Sequence, residues 1–403
     1  MRRPNRGHLE YHLLLLVTLG LVAFGLVMVY SASSARAALA ADDPAYYLKR
    51  QALYAVVGIA ALAVLSRVDF RRLRLCIAPL LLGSFVLLLV VLVMGEPVNG
   101  ARRWLSVGAM AIQPSELAKL ALALWVAAFL ARRQAPQTLG ELIQPIGLVV
   151  GAASLLVLVE PDLGTAIAIS IMVAAMLVVA GTRLGVLAGA GAIALLVFLA
   201  AIWIEPYRRE RLFSFLDPWQ DPEHAGFQAV QAMIALGSGG IFGVGLGESV
   251  QKAYYLPEAS TDMIFAIIGE ELGLLGAFAV VAAFAVFGYA GFNVAVACRD
   301  SFGKLLAAGL TALVCGQAAV NVSAVMGLAP LTGIPLPFVS YGGSSLVVGL
   351  ASVGILLNIA VNHAAETKAE LPDRRRGDGR ARPARARGRG SAQRPRRVRH
   401  VRV

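Results

Sequence analysis

The chain has 403 residues, of which 58% are hydrophobic, and its mean hydropathy is +0.72. Such a composition excludes an ordinary water-soluble globule, and apolar runs of eighteen or more residues recur along the chain, so we predict a polytopic membrane protein. The formal net charge of +12 does not describe the fold, because residues 368–403 alone carry 14 Lys and Arg against three acids.

The apolar runs predict an all-α fold with about ten transmembrane helices. The first run follows Arg2, Arg3 and Arg6 as a signal peptide would, but it is too long for a signal sequence, so we expect it to be retained. The predicted spans are residues 11–33, 48–66, 73–94, 115–131, 142–159, 163–181, 184–204, 262–292, 304–327 and 343–363.

Basic residues predict the orientation of these spans. With the N-terminus in the cytoplasm, and the tail left out, twelve basic residues lie on the cytoplasmic side and five in the short outer loops. This asymmetry predicts that both termini are cytoplasmic. We therefore divide the chain into a transmembrane domain, residues 1–365, and a disordered basic cytoplasmic tail, residues 366–403. Contact with anionic membrane lipids or a partner protein explains such a tail without invoking nucleic acid.

Three of the predicted outer loops carry unusual residues: 96–116, 205–261 and 329–345. Residues 205–261 form the largest extracytoplasmic loop, between spans 7 and 8, and include an amphipathic segment (227–235) and a glycine-rich one (237–247). The glycine-rich segment lacks the P-loop spacing, so a re-entrant turn competes with anion binding as its explanation. Residues 329–345 contain three prolines and three glycines, which exclude a continuous helix and predict irregular backbone that lines a cavity.

The stretch YYLPEASTDMIFAIIGEELG enters the eighth span. Ser260 or Thr261 is predicted to cap this helix, which would place Asp262 in its first turn, half exposed at the mouth of the span. Glu270 and Glu271 lie deeper and are expected to face a polar cavity or a basic partner. These residues alone leave open whether the acids perform chemistry or only pair with Arg and Lys.

The fourth span begins QPSELAK, where Ser115 is a candidate cap. Glu116 and Lys119 share one helix face, and a lysine within a span must face a cavity or an acid. A cluster of such cations opposite Asp262 would suit a pyrophosphate substrate. Structural ion pairs, such as Asp262 with Lys119, are the competing interpretation. The candidate cations are Arg50, Arg102, Arg103 and Lys119.

Five motifs between Tyr11 and Asn362 resemble those of the SEDS proteins, in the same order, and are more similar to the division members than to the elongation members. The motifs are NGARRW, QPSELAK, DPWQDPEHAGFQAVQA, QKAYYLPEASTDMIFAIIGEELG and PLTGIPLPFVSYGGSS. The resemblance implies an inverting peptidoglycan glycosyltransferase that polymerises lipid II, a disaccharide-pentapeptide on undecaprenyl pyrophosphate. It also implies action at the outer face of the bacterial cytoplasmic membrane, at the division septum.

The resemblance also implies roles for individual residues. Asp262 aligns with the family's essential aspartate and would be the general base, whereas Ser260 stands where the family usually has histidine. The candidate substrate-binding residues are Arg50, Arg102, Arg103, Glu116, Lys119, Ser340, Gly342 and Gly343. Implied partners are a class B penicillin-binding protein and other divisome proteins, and a divalent cation such as Mg or Mn is a possible cofactor. A lipid II flippase and a noncatalytic divisome scaffold are the alternative functions.

Overall fold

The computed structural model describes residues 6–39, 43–98, 101–108, 110–224 and 226–369, so the predicted tail from residue 370 onward lies outside the described residues. The helices are α1 (Arg6–Leu39), α2 (Tyr46–Leu65), α3 (Ile77–Met94), α4 (Pro114–Arg132), α5 (Leu139–Leu142), α6 (Leu148–Val159), α7 (Leu163–Ala180), α8 (Leu184–Ile204), α9 (Pro206–Leu216), α10 (Phe227–Ser238), α11 (Gln251–Tyr254), α12 (Ile264–Ala297), α13 (Ser301–Val325) and α14 (Gly343–Ala369). The strands are β1 (Glu96–Val98), β2 (Ala101–Val107) and β3 (Met110–Ile112), which form one antiparallel sheet.

In the part of the chain that the structure describes, ten helical segments are long and apolar enough to cross a membrane. They confirm the predicted spans to within a few residues. The third span joins the 3₁₀ turn Phe70–Cys76 to α3, and the fifth, Leu139–Val159, joins α5 to α6. The other eight are α1, α2, α4, α7, α8, α12, α13 and α14.

Hydrogen bonds between loops show that successive spans cross in alternating directions. At one face, the segment after the third span bonds to the segment after the fifth, through Arg103 and the Glu160 carbonyl oxygen at 2.8 Å. At the opposite face, Arg74, at the start of the third span, bonds to Asp300, which lies between the eighth and ninth spans, at 3.0 Å. We call the first face the loop face. The orientation of this face toward the cell exterior stays a prediction.

Burial differs strongly among the helices. Most side chains of α4, α13 and α14 are buried, so these three helices form the centre of the bundle. In α8, by contrast, Val186 is the one fully buried residue, and most of the remaining apolar side chains are exposed. Lipid tails are as apolar as leucine, so an outward apolar face costs nothing in a bilayer.

Helix α12 is broken at Gly273, where φ is +65°. The glycine-rich segment folds against this break and supplies the backbone partners that the helix lacks. Gly243 makes this approach possible: a Cβ there would stand 2.1 Å from the Glu271 carbonyl oxygen. Four backbone hydrogen bonds of 2.9–3.2 Å join the two segments: Val244 to Glu270, Gly245 to Glu271, Leu274 to Gly240 and Leu275 to Ile241. The segment is therefore a re-entrant turn whose N–H and carbonyl groups both bond to the broken helix.

Glu270 and Glu271 hold the same region together. Lys252 Nζ donates to Glu271 at 2.6 Å, and the Ser31 hydroxyl of α1 donates to the same carboxylate at 2.7 Å. Glu270 accepts from the Ser249 hydroxyl and from the backbone N–H of Val250. Glu271 is thus paired with a basic residue, as the structural interpretation predicted, whereas Glu270 is held by a hydroxyl and a backbone N–H.

Candidate active site

Asp262 lies in a turn before α12 rather than in its first helical turn. The helix begins at Ile264, and its N-cap, Met263, makes no side-chain capping bond. The predicted capping by Ser260 or Thr261 is wrong, because the Thr261 hydroxyl is bonded to the Glu258 carboxylate at 2.8 Å and to its carbonyl oxygen at 3.0 Å. The backbone N–H groups of Thr261 and Met263 also donate to that carbonyl, so they close a turn instead of starting a helix.

Asn321 of α13 fixes the position of this turn. Its side-chain amide donates to the Asp262 carbonyl oxygen at 2.7 Å and to the Ile334 carbonyl oxygen at 2.8 Å. One buried amide thereby joins the turn that carries Asp262 to the irregular segment after α13. Because buried carbonyl groups need partners, this clamp sets the backbone on both sides of the site.

The Asp262 carboxyl is half-buried, as the sequence predicted. Burial raises the pKa of Asp262 to about 6, with a smaller contribution from the negative charge of Glu258. The positive charge of Arg211, on α9, acts in the opposite direction. A carboxyl with this pKa is mostly ionised at neutral pH and is still a stronger base than an ordinary aspartate.

A small cleft opens beside Asp262. Its wall includes residues 331–334, which belong to the segment 329–345 that the sequence predicted to line a cavity. Gly333, where φ is +71°, leaves space in this wall: a Cβ there would lie 3.9 Å from Oδ2 of Asp262 and 4.0 Å from Nη1 of Arg211. The lining residues are Asp262, Met263, Asn321, Ala324, Val325, Leu331, Thr332, Gly333 and Ile334.

None of the eight predicted substrate-binding residues lines this cleft, but Arg50 is linked to its edge. Arg50 is hydrogen-bonded to the Tyr341 side chain and stacks over the Tyr46 ring, 5.1 Å from its centroid. The Tyr341 backbone N–H in turn donates to the Ser260 carbonyl oxygen at 2.8 Å, two residues before Asp262. The structure therefore brings Arg50 to the turn that carries the carboxyl, through one intervening tyrosine.

Ser340 and the two glycines shape the segment around Tyr341. The buried Ser340 hydroxyl accepts from the Leu336 N–H at 2.8 Å, and the Gln51 side chain donates to the Ser340 carbonyl at 3.0 Å. The Gly342 N–H donates to the same glutamine at 3.4 Å. Gly343 lies against the Tyr54 ring, which a Cβ would approach to 2.3 Å. These contacts fix the backbone conformation of the segment around Tyr341.

Glu116 and Lys119 form an ion pair of 2.8 Å inside the bundle, and Lys119 is 1% exposed. The shared face predicted from their spacing is thereby confirmed. The N-cap of α4 is Gln113 and not Ser115, because Pro114 occupies the first helical position, where its missing N–H costs nothing. The partner found for Lys119 is Glu116, so the suggested pairing of Lys119 with Asp262 is not what the structure contains.

Arg102 and Arg103 lie on β2 and contact backbone carbonyl groups. Arg102 donates to Val93 at 3.3 Å, whereas Arg103 donates to the carbonyl oxygens of Glu160 and Pro161. Burial, and then the charge of Asp162, raises the pKa of Glu160 to about 8. Arg103 therefore holds the backbone of the buried segment that carries Glu160 and Asp162 at the loop face.

Sequence reasoning missed Asn321 and Arg211. Asn321 could have been found, because an amide deep in an otherwise apolar span needs a partner. Arg211 is one of three arginines in the segment PYRRERLFSFL, and nothing in its spacing distinguishes it from its neighbours. Among the described residues, no group of three or more His, Cys, Asp and Glu side chains is arranged to hold a metal ion.

Ten spans, a broken eighth span and a half-buried carboxyl at the loop face define a polytopic membrane protein with a polar site at one end of its helical bundle. The chain belongs to the FtsW/RodA/SpoVE family, since the family model described as "Cell cycle protein" matches residues 11–365.

Curated relatives resemble the chain over nearly their whole length. A protein of Geobacter sp. (strain M18) named "Probable peptidoglycan glycosyltransferase FtsW" is 43% identical over 353 residues, which is 86% of this chain and 96% of that protein. The Stage V sporulation protein E of Bacillus subtilis (strain 168) is 41% identical, with the same coverage of both chains.

Solved structures share the architecture. A chain in the structure described as "Structural coordination of polymerization and crosslinking by a peptidoglycan synthase complex" has a TM-score of 0.72 and 32% identity, and the match covers 87% of this chain and 97% of that one. The rod shape determining protein RodA of Thermus thermophilus has a TM-score of 0.63 and 28% identity, covering 87% of this chain and 96% of that one.

Proposed function

We propose that this chain polymerises lipid II at the outer face of the bacterial cytoplasmic membrane during cell division, with Asp262 as the general base. The chain is a peptidoglycan glycosyltransferase, like the relatives whose length it covers almost completely. The observation that carries the role of Asp262 is its position: a half-buried carboxyl with a pKa of about 6 faces a cleft at the loop face.

The proposed step is an inverting displacement. The Asp262 carboxylate takes the proton from the 4-hydroxyl of the acceptor N-acetylglucosamine as that oxygen attacks the anomeric carbon of the donor. The bond from that carbon to the pyrophosphate breaks, and undecaprenyl pyrophosphate leaves with the bonding electrons. A positioned base of this kind contributes roughly 10²–10⁴ in rate.

Among the predicted substrate-binding residues, Arg50 has the most direct support, because Tyr341 connects it to the turn that carries Asp262. We propose that it contacts substrate near this turn. We propose that the remaining predicted residues support the substrate site indirectly, by holding the backbone and side chains around the loop face in position. They are Arg102, Arg103, Glu116, Lys119, Ser340, Gly342 and Gly343.

We further propose that the polymerase works with a class B penicillin-binding protein at the division septum. The support is the structural match to a peptidoglycan synthase complex that coordinates polymerization and crosslinking. Copurification of the two proteins, with loss of polymerisation when they are separated, is the expected result. Full activity of the isolated chain would contradict the requirement for this partner.

The role of Asp262 is tested by glycan synthesis from lipid II with purified Asp262→Asn protein and its partner. We expect a loss of about 10²-fold or more, since the amide cannot take a proton. Asp217→Asn is the matched control, because Asp217 is an exposed acid of the same long connection and should leave the rate unchanged. Parental rates in Asp262→Asn would disprove the role of Asp262.

A liposome assay separates this proposal from the two alternatives. The polymerase forms glycan chains without moving lipid II across the bilayer, whereas a flippase moves lipid II without forming chains. A noncatalytic scaffold would let Asp262→Asn support division as well as the parent chain does. The position of Asp262 at the loop face, rather than midway along the spans, favours the polymerase over the flippase.

A further inference from the structure

The connection between α6 and α7 contains a buried acid that the proposed reaction does not use. We call residues 158–162 the α6–α7 junction. Glu160 lies in this junction at the loop face and is 1% exposed. No described residue donates a hydrogen bond to either oxygen of its carboxyl group. An ionised carboxylate without donors is costly inside a protein, so these surroundings favour the protonated form of Glu160.

Asp162, two residues later in the junction, has the opposite surroundings. Its carboxyl group accepts from the backbone N–H and the hydroxyl of Thr165, at 3.0 and 2.8 Å, and from the side-chain amide of Gln113 at 3.1 Å. The junction therefore provides donors for one negative charge, at Asp162. Burial, and then repulsion from that charge, raises the pKa of Glu160 to about 8, and the positive charge of Arg103 acts in the opposite direction.

Two arginines bond to the backbone of the junction and not to the Glu160 carboxyl group. Arg103 of β2 donates to the carbonyl oxygens of Glu160 and Pro161. Arg208 of α9 is buried and donates to the Leu158 carbonyl oxygen at 2.7 Å. A guanidinium group binds a carboxylate more strongly than it binds a neutral carbonyl group. The arrangement is therefore the one expected while Glu160 is protonated.

The other neighbours of the junction leave Arg103 as the cation that would respond to a charge on Glu160. Glu205, which is exposed at the end of α8, acts on Arg208. The side chains that pack with Val157 and Leu158 from α3, α4 and α8 are apolar, namely Leu88, Ala118, Phe198 and Ala201. Arg103 is the positive charge that acts on the Glu160 carboxyl group.

The start of α7 carries the position of the junction to the cleft wall, residues 331–334. Gly164 packs closely against this wall: a Cβ there would stand 2.2 Å from the Ile334 side chain and 3.0 Å from the Thr332 carbonyl oxygen. Because close-packed groups cannot move independently, a shift of the junction would displace the wall at this contact.

Helix α9 makes a second connection from the junction to the same wall. Arg208 holds this helix to the Leu158 carbonyl oxygen, and Arg211, one turn later, donates to the Leu331 carbonyl oxygen at 3.3 Å. The junction is therefore joined to residues 331–334 through both α7 and α9.

We propose that Glu160 is a pH-dependent switch that controls the cleft wall. While its carboxyl group is protonated, Arg103 stays on the carbonyl groups of the junction, and the wall keeps the position described above. When the carboxyl group ionises, the Arg103 guanidinium moves to it, the carbonyl groups lose their donor, and the support of residues 331–334 is loosened. The effect on polymerisation rests on the proposed function, whereas the movement of Arg103 does not.

The pH dependence of kcat tests the effect on polymerisation. With the parent chain and its partner, the rate should fall by about tenfold between pH 7 and pH 9, because Glu160 ionises around pH 8. Glu160→Gln keeps the shape of the side chain and cannot ionise, so its rate should stay constant over this range. Glu205→Gln, at an exposed acid that acts on Arg208, should still show the fall.

Tryptophan fluorescence follows the movement of Arg103 without turnover. Trp104 is next to Arg103 on β2, and the other three tryptophans are replaced by phenylalanine, at Trp125, Trp203 and Trp219. In full-length protein that carries Asp262→Asn, Trp104 emission should change with a midpoint near pH 8, and Glu160→Gln should remove this change. Arg102→Gln is the matched control and should keep it, because Arg102 is exposed and bonds to the end of α3.

Arg103→Gln should reproduce at pH 7 the low rate that the parent shows at pH 9, since the carbonyl groups of the junction then lack their donor. The parental rate in this variant would overturn the switch, and so would a fall with pH that persists in Glu160→Gln. Trp104 emission that does not titrate between pH 7 and pH 9 would overturn the movement of Arg103. Parental rates in Asp262→Asn would instead overturn the proposed base and leave the Trp104 titration unchanged.

Discussion

The side-chain amide of Asn321 holds the backbone of Asp262: the distance from Nδ2 to the Asp262 carbonyl oxygen is 2.7 Å. The same nitrogen donates to Ile334 at 2.8 Å, so one buried group joins the base-bearing turn to the opposite wall of its cleft. The position of the proposed base therefore depends on a residue of α13 that has no chemical role of its own.

Asn321→Ala should lower kcat by about tenfold or more, with a smaller effect on KM. The substitution leaves two carbonyl groups without their donor, at a cost of about 1–3 kcal/mol for each buried group, and frees the turn to move. Steady-state polymerisation and thermal unfolding measure the two effects. Asn358→Ala is the control, because Asn358 makes a similar clamp at the opposite face, donating to Ser66 at 2.9 Å and accepting from Phe70. Loss of stability without loss of kcat in Asn321→Ala would contradict a positioning role.

The pH dependence of kcat/KM reports on the Asp262 carboxyl. Because the base acts when ionised, the rate should rise with pH through about 6, the value to which burial and then Glu258 raise its pKa. Glu258→Gln removes a negative charge and should move this limb to lower pH, whereas Arg211→Gln removes a positive charge and should move it to higher pH. Glu248→Gln, at an exposed acid of the same connection, should leave the limb in place. A limb near pH 4 in the parent protein would contradict the assignment.

Asp262 should also cost stability. Folding raises the pKa of Asp262 from 3.8 to about 6. Ionisation of this carboxyl therefore penalises folding once the pH exceeds 3.8, the pKa in the unfolded chain, and the penalty grows until the pH passes about 6. Asp262→Asn removes an ionisable group and should unfold at a higher temperature than the parent at pH 7.5, with the difference disappearing near pH 4. An equal difference at both pH values would show that charge is not the cause.

The buried pair of Lys252 and Glu271 should be essential for stability. Lys252→Met leaves the Glu271 carboxylate buried without its cation and should lower the free energy of unfolding by about 3–5 kcal/mol. The double variant Lys252→Met/Glu271→Leu should recover much of that loss, since no charge remains unpaired. Lys49→Met breaks the exposed pair with Asp43, whose side chains are 70% and 47% exposed, and should cost below about 1 kcal/mol. Equal losses for the two single variants would contradict the role assigned to burial.

Gly243→Ala should disrupt the re-entrant turn. Its φ is +80°, and an added Cβ would stand 2.1 Å from the Glu271 carbonyl oxygen, so both backbone strain and a clash oppose the substitution. Gly237→Ala, in the helix just before the turn and with open space around it, should be neutral or slightly stabilising. Thermal unfolding in detergent compares the two variants, and equal behaviour would contradict the close approach to α12.

Several features of the site were predictable because they depend on local sequence. Proline and glycine exclude a helix in residues 329–345, and the spacing of Glu116 and Lys119 places them on one face. The half-buried position of Asp262 follows from a polar loop that meets an apolar span. The start of α12 was predicted wrongly, because Glu258 engages the Thr261 hydroxyl that would have capped the helix. Such competition between neighbouring partners is decided by geometry that the residue types do not specify.

The amino-acid sequence by itself determined that this protein crosses a membrane about ten times and which carboxyl stands at the mouth of a span. Both follow from the cost of placing polar groups in lipid, which acts on each segment independently. Only the tertiary structure decided which residues meet Asp262. Asn321 and Arg211 reach it from other helices, 59 and 51 positions away in the chain, and their approach depends on the packing of α9 and α13 against the turn.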